Sequence, residues 1–196
     1  MRTLALASCA AVLALLALVN DASGHHLNAD RHAWGIRLVH QTDHAARSAR
    51  HCQSYLDRDR SPMRSTRSYA REEIPYRRWA LSLWRGREWQ CGLKVRKLNA
   101  HPPSAIRYVF GRLGARHLST ALDVAGDEAG SHDIDANPHC TRASNGTHWG
   151  CFQFGDWARR TFGFAWSALE QAWAAFKYVV SSGGWCSGWA ATADHC

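Results

Sequence analysis

The sequence predicts a mainly α-helical protein, stapled by disulfides, with a basic helical extension on its N-terminal side. Three observations point there. Apolar residues recur at three- and four-residue spacing in stretches between residues 72 and 180, and Pro, Ser, Thr and Gly stand where those stretches begin and end. Six cysteines follow a segment that reads as an export signal.

The signal comes first. Arg2 precedes an apolar run from Leu4 to Val19, and the small residues Ala22, Ser23 and Gly24 offer a cleavage site, so residues 1–24 read as a secretory signal peptide. The run is too short for a lasting membrane span, and no later stretch reaches about 18 consecutive apolar residues. The mature chain is therefore expected to be secreted, without a membrane span, and Cys9 to be lost with the signal. Residues 25–196 remain, enough for one compact domain and an extension. In an exported chain the cysteines Cys52, Cys91, Cys140, Cys151, Cys186 and Cys196 suggest disulfides. Many connectivities are open to six cysteines; proximity in sequence favours Cys52 with Cys91, Cys140 with Cys151 and Cys186 with Cys196.

Charge divides the chain. Residues 25–120 carry 19 Lys and Arg against 7 Asp and Glu, whereas residues 121–196 carry 4 against 8. A basic segment outside the cell is suited to an anionic surface such as a bacterial wall rather than to nucleic acid, although a merely solvated face explains it equally well.

Residues 25–99 form the predicted extension. Up to about residue 60 the stretch is polar, with His25, His26, His32, His40, His44 and His51 among arginines, and weak order is expected. His40 and His44 stand at i, i+4, a spacing that can share a metal, but no third ligand accompanies them. A helix is expected over 72–89, with Pro75 in its first turn and Tyr76, Trp79, Ala80 and Leu83 along one stripe. Trp79, Trp84 and Trp89 interleave with basic residues. Stacking on sugar or base would suit them, yet tryptophans at helical spacing usually fill a core. The break "LNAHPPS" places the domain boundary near residue 100.

Beyond it, Ser104 is positioned to cap a helix carrying Ile106, Val109, Phe110 and Leu113, closed by Gly114. The next helix is expected from Ser119 or Thr120, where Thr120 and Asp123 have capping-box spacing. Its apolar face would be Leu118, Ala121, Leu122, Ala125 and Ala129, with Asp123 and Asp127 opposite and Glu128 on the margin. That margin sets Glu128 apart from the solvated aspartates, because partial desolvation disfavours a charged carboxylate. Such an acid suits proton donation, as a glycosidic leaving oxygen requires, whereas the plain alternative is a glutamate that pairs locally. Farther on, Asp156 is expected to cap a short helix ending near Gly163. Ser167 and Glu170 form a capping box for a helix whose Leu169, Trp173, Phe176 and Val180 point one way.

The segments "VAGDEAGSHDIDANPH", "NGTHWGCFQFGDWARRTFGF" and "SGGWCSGW" resemble the lysozyme-like domain of secreted bacterial transglycosylases, close to the resuscitation-promoting-factor and soluble-lytic-transglycosylase group. The matching features are Glu128 followed by Ala129 and Gly130, then Ala136 and Asn137, then Gly150, Cys151, Phe152 and Gln153. They cover roughly residues 100–196. The resemblance implies a lysozyme-like fold with a groove for the glycan strands of peptidoglycan. Glu128 would protonate the oxygen leaving MurNAc, and Gln153 would position the sugar. Asn137, Trp149 and Phe152 are the further substrate-binding candidates. Two departures stand out: Ala129 replaces the usual Ser, removing a hydroxyl that could orient the acid, and Cys151 occupies an apolar position.

The remaining motifs carry less. Asp133, Asp135 and Asn137 copy the opening of an EF-hand loop, but Pro138 stands at the glycine position and Ser144 at the glutamate position. His132, His139, Cys140, His148 and Cys151 offer zinc ligands only if the cysteines are reduced. Asn145, Gly146 and Thr147 form a glycosylation sequon without meaning for a bacterial protein. No cofactor and no metal are expected, and a monomer acting on peptidoglycan is. Three readings stay open: a lytic transglycosylase, a hydrolytic muramidase, and a wall-binding protein without catalysis.

Overall fold

The computed structural model describes the backbone of residues 4–130, 134–136, 139–186 and 189, and within these the side chains from residue 29 onward except that of Ala136. The protein is mainly helical. Helices α1 (Leu4–Tyr55), α2 (Thr66–Ala70), α3 (Ile74–Ala100), α4 (Pro102–Phe110), α5 (Ala115–Glu128), α6 (Asp156–Phe162) and α7 (Ala168–Ser182) follow in order, with short 3-10 turns at Ile134–Ala136 and Cys140–Arg142. Pairing of extended backbone among the described residues is limited to the bridges Ser144 with Trp149 and Trp149 with Phe154. No described helix is long and apolar enough to cross a membrane. The chain divides into two units, Met1–Cys91 and Gly92–Cys196.

In the first unit, the stretch expected to be weakly ordered is helical as far as Tyr55. Its polar composition hides a stripe: Leu38, Thr42, Ala45, Ala46 and Ala49 are buried at helical spacing, while Arg47 and His44 lie outside. Against this stripe packs α3, through Leu81 and Trp84. The alanines leave room for the indole of Trp84, which donates from Nε1 to the Tyr69 hydroxyl at 2.9 Å. The expected α3 stripe is off by one position. Ala80, Leu81 and Trp84 are buried, whereas Trp79 and Trp89 are 56% and 61% exposed. Only Trp84 of these three tryptophans is core. Cys52 and Cys91 are joined, fastening the end of α1 to α3.

The second unit starts inside α3 rather than at "HPPS". The final turns of that helix already belong to it: Leu98 is buried, and the Leu169 amide donates to Asn99 Oδ1 at 3.0 Å. Several helix boundaries correct the sequence expectations. Helix α4 has His101 at its N-cap and Pro102 and Pro103 in its first turn. Ser104 therefore lies inside the helix, its hydroxyl 2.9 Å from His101 Nδ1. Gly111, not Gly114, ends α4; Gly114, at φ 95°, is the N-cap of α5, five or six residues before the expected Ser119 or Thr120. Thr120 consequently sits mid-helix and donates to the Arg116 carbonyl instead of capping.

Gly155 is the N-cap of α6, and Asp156 is its first residue, 3.6 Å from Arg159. The capping box of α7 is present: Ser167 Oγ accepts from the Glu170 amide and donates to its carboxylate at 3.0 Å. On α7, Val180 faces solvent and the fully buried polar residue is Gln171. The core of this unit is aromatic, with Phe110 touching Phe152, Phe176 and Trp185 at centroid distances of 5.2–6.3 Å.

Candidate functional site

Glu128 is the last residue of α5. Ala121, Val124 and Ala125, which lie seven, four and three residues before it, are fully buried. Positions at those separations share a helix face, so Glu128 continues the packed face to the point where it meets solvent, and is half-buried. Asp123 and Asp127 are exposed on the other side, as the helical pattern predicts. The helix ends immediately afterwards: the Ala129 amide donates to Ala125, the Gly130 amide to Asp127, and Gly130 turns the chain at φ 79°. This left-handed position suits glycine, which has no Cβ to collide with the preceding carbonyl.

The chain then forms the turn Ile134–Ala136, packed on α4 and α5 through buried Ile134. Asp135 points away into an ion pair with Arg107 at 3.1 Å, and His101 lies 4.0 Å from it. Asn137, Asp133, His132 and Pro138 lie outside the described residues, as does Cys196.

A tight hairpin follows. Trp149 and Phe154 exchange both backbone hydrogen bonds, at 3.1 and 2.8 Å, around the turn Gly150–Gln153. Gln153 adopts a left-handed φ of 45°, unusual for a side chain of its size, and its amide Nε2 donates to the Gly150 carbonyl at 2.8 Å. Cys151 is bonded to Cys140, tying the turn to the preceding 3-10 turn and removing both thiolates from any metal set. Among the described residues no group of three or more His, Cys, Asp or Glu is placed to hold a metal. Cys186 is also disulfide-bonded. The sequon residue Asn145 serves a turn, its Oδ1 accepting from the amides of Thr147 and His148.

The residue that organises this region is not among the candidates read from the sequence. Gln171 is completely buried, and its amide group reaches three backbone segments: Oε1 accepts from the Cys151 amide at 3.0 Å, while Nε2 donates to the carbonyls of Thr141 and Ala165. A Cβ on Gly150 would come within 2.5 Å of Gln171 Oε1, so glycine is required there both for its φ of 81° and for this contact. A glutamine among the apolar residues of this helix was the available signal, because a polar group buried there persists only with partners.

The substrate-binding candidates separate accordingly. Phe152 is fully buried between Phe110, Phe154 and Trp189, so it presents no surface to a ligand and belongs to the core. Trp149 is half-buried, with the Arg159 guanidinium 4.4 Å from its ring centroid. Gln153, 7% exposed, lines a cavity of about 380 Å³ together with His148, Asp156, Trp157, Tyr178 and Trp189. Glu128 does not line that cavity. Trp189 closes its floor by donating from Nε1 to the Phe152 carbonyl at 2.6 Å, and Trp185 is buried with Nε1 3.2 Å from His117 Nδ1. No protein family, curated protein or solved structure matches the chain.

Proposed function

We propose that the second unit cleaves the bond between MurNAc and GlcNAc in peptidoglycan glycan strands, with Glu128 as general acid and then general base, in the manner of a lytic transglycosylase acting outside the cell. The observation that carries this reading is the position of Glu128. Of the acids on α5 it alone sits where the packed face meets solvent, at the helix end, immediately before a left-handed glycine. A half-buried carboxyl in such a place is suited to holding a proton for a leaving oxygen. The cavity beside Gln153, with exposed Trp157 and half-buried Tyr178, has aromatic and hydrogen-bonding groups of the kind that sugars use.

The preference for a transglycosylase over a hydrolase rests on the second acid. A hydrolase commonly places a second carboxylate roughly 5 to 9.5 Å from the first. Of the candidates for that role, Asp133, Asp135 and Asp156, Asp135 is engaged by Arg107 and Asp156 lies against Arg159, while Asp133 lies outside the described residues. A transglycosylase works with one acid, because the muramic acid's own hydroxyl attacks the anomeric carbon as Glu128 takes up its proton. The products then end in 1,6-anhydro-muramic acid, one water lighter than hydrolysis products.

Digestion of purified peptidoglycan followed by mass spectrometry tests both points. Glu128→Gln is expected to keep the fold and lose cleavage, since an amide cannot donate that proton; activity near wild type would remove Glu128 from the mechanism. Asp127→Asn, on the exposed side, is expected to leave the rate within about twofold, as solvated positions away from the chemistry usually do. Reducing-end muramic acid as the sole product would move the assignment to a hydrolytic muramidase.

A further inference from the structure

A second concave site lies in the first unit, at the end of α1. Arg47, Arg50, His51 and Ser54 occur at i, i+3, i+4 and i+7, so helical geometry places them along one face. The chain then reverses. Asp57 adopts a left-handed φ of 49°, fully buried Leu56 anchors the turn, and the Arg58 amide donates to the Gln53 carbonyl at 2.8 Å. This brings Arg60 back over α1, where its Nε donates to Ser54 Oγ. Two further bonds hold the returning loop in place: Gln53 Nε2 donates to Ser61 Oγ at 3.0 Å and the Ser61 amide to Gln53 Oε1 at 2.9 Å. The five side chains line an open pocket of about 260 Å³.

The charge in this pocket is not balanced by the protein. Arg47 donates one of its five N–H groups to Asp43. Among the described residues Arg50 and Arg60 have no carboxylate partner; the Arg50 guanidinium donates to the Met63 sulfur at 4.0 Å, and its buried Nε has no acceptor there. Asp57 and Asp59 are on the same loop, but neither lines the pocket. Bringing guanidinium groups together costs free energy through mutual repulsion, and covering an N–H without an acceptor costs more. The repulsion is offset when an anion enters. Residues 25–91 as a whole, with 13 Arg against 7 Asp and Glu, favour its approach.

We propose that this pocket binds a phosphoryl group. Guanidinium forks match oxyanion geometry, and here they come from the helix and from the returning loop, with a serine hydroxyl between them. That arrangement suits the several oxygens of a tetrahedral anion better than the two coplanar oxygens of a carboxylate. The source is either free phosphate or a phosphodiester in a polyol-phosphate polymer. The site is independent of Glu128, so phosphoryl binding and glycan cleavage stand or fall separately.

Titration calorimetry on the full mature chain tests this, with inorganic phosphate and a soluble poly(glycerol phosphate) as probes and acetate as the planar control. Saturable binding of phosphate or of the polymer is expected, weakened about tenfold or more by Arg50→Gln and by Arg60→Gln, the loss of a charged hydrogen bond being of that size. Arg67→Gln and Arg71→Gln, exposed arginines of the same unit outside the pocket, are expected to change it less than twofold. Arg60 is exposed, so Arg60→Gln remains informative even if Arg50→Gln impairs folding. Tighter binding of the polymer per phosphate assigns the source to a polymer, and equal binding assigns it to the free ion. The proposal is overturned if neither probe saturates, if the control arginines matter as much as Arg50 and Arg60, or if acetate competes as well as phosphate. Glu128→Gln should bind phosphate like wild type.

Discussion

The two units are built on different physical principles. The first is a packing of long helices around Leu38, Ala45, Ala46, Ala49, Leu81 and Trp84, where small side chains on α1 admit one large ring from α3. Its order comes from periodicity repeated over many turns. The second uses helices of 7 to 15 residues beyond α3, separated by turns at glycines, and its loops are held by the amide of Gln171 and by the Cys140–Cys151 bond. Apolar volume therefore dominates the first unit, and satisfied backbone polar groups matter as much as volume in the second.

Three substitutions probe that contrast, with hydrogen exchange followed separately on peptides from residues 34–91 and 102–185. The largest effect is expected for Trp84→Ala, which empties the centre of the first unit and leaves the Tyr69 hydroxyl without its donor. A loss of about 3–5 kcal/mol is expected there. Retained protection in the first unit would mean that its helices do not depend on this ring.

Gln171→Leu follows, at about 3 kcal/mol, because the leucine keeps most of the volume but strands the Cys151 amide and the Thr141 and Ala165 carbonyls. The loss should be confined to the second unit and begin in peptides covering 141–165. A neutral result would show that volume, not hydrogen bonding, holds that region.

Ser167→Ala is expected to cost about 1 kcal/mol by removing the α7 cap, and should be seen as faster exchange at Glu170, the amide that Ser167 Oγ accepts from. No change at that amide would mean that the adjoining core alone fixes the start of α7.

Legibility followed the same division. The helical character, the α7 capping box, the exposure of Asp123 and Asp127 and the marginal position of Glu128 were readable, because each depends on residues within a few positions of one another. The pairings Cys52–Cys91 and Cys140–Cys151 agreed with nearness in sequence. Trp79 and Trp84 could not be sorted by periodicity alone: five positions apart on a helix they differ by about 140°, and only the partner surface decides which is buried. The order in residues 29–55 was hidden because alanines supply its buried stripe, and alanine carries little hydrophobic signal until a neighbour packs on it.

What could be read from the residues alone was that helices dominate between residues 72 and 182, because propensity, spacing and capping act over three or four residues, although not where each of them begins or ends. The sequence also marked Glu128, since one helix face suffices to separate it from its neighbours. Tertiary structure decided the fate of residues whose environment comes from distant chain. It buried Phe152 in the aromatic core, committed Asp135 to Arg107, gave Gln171 its three backbone partners and folded Arg60 back over α1. The physical reason is the same in each case: burial and ion pairing are properties of a surface assembled from separate segments, and no local pattern encodes which segments meet.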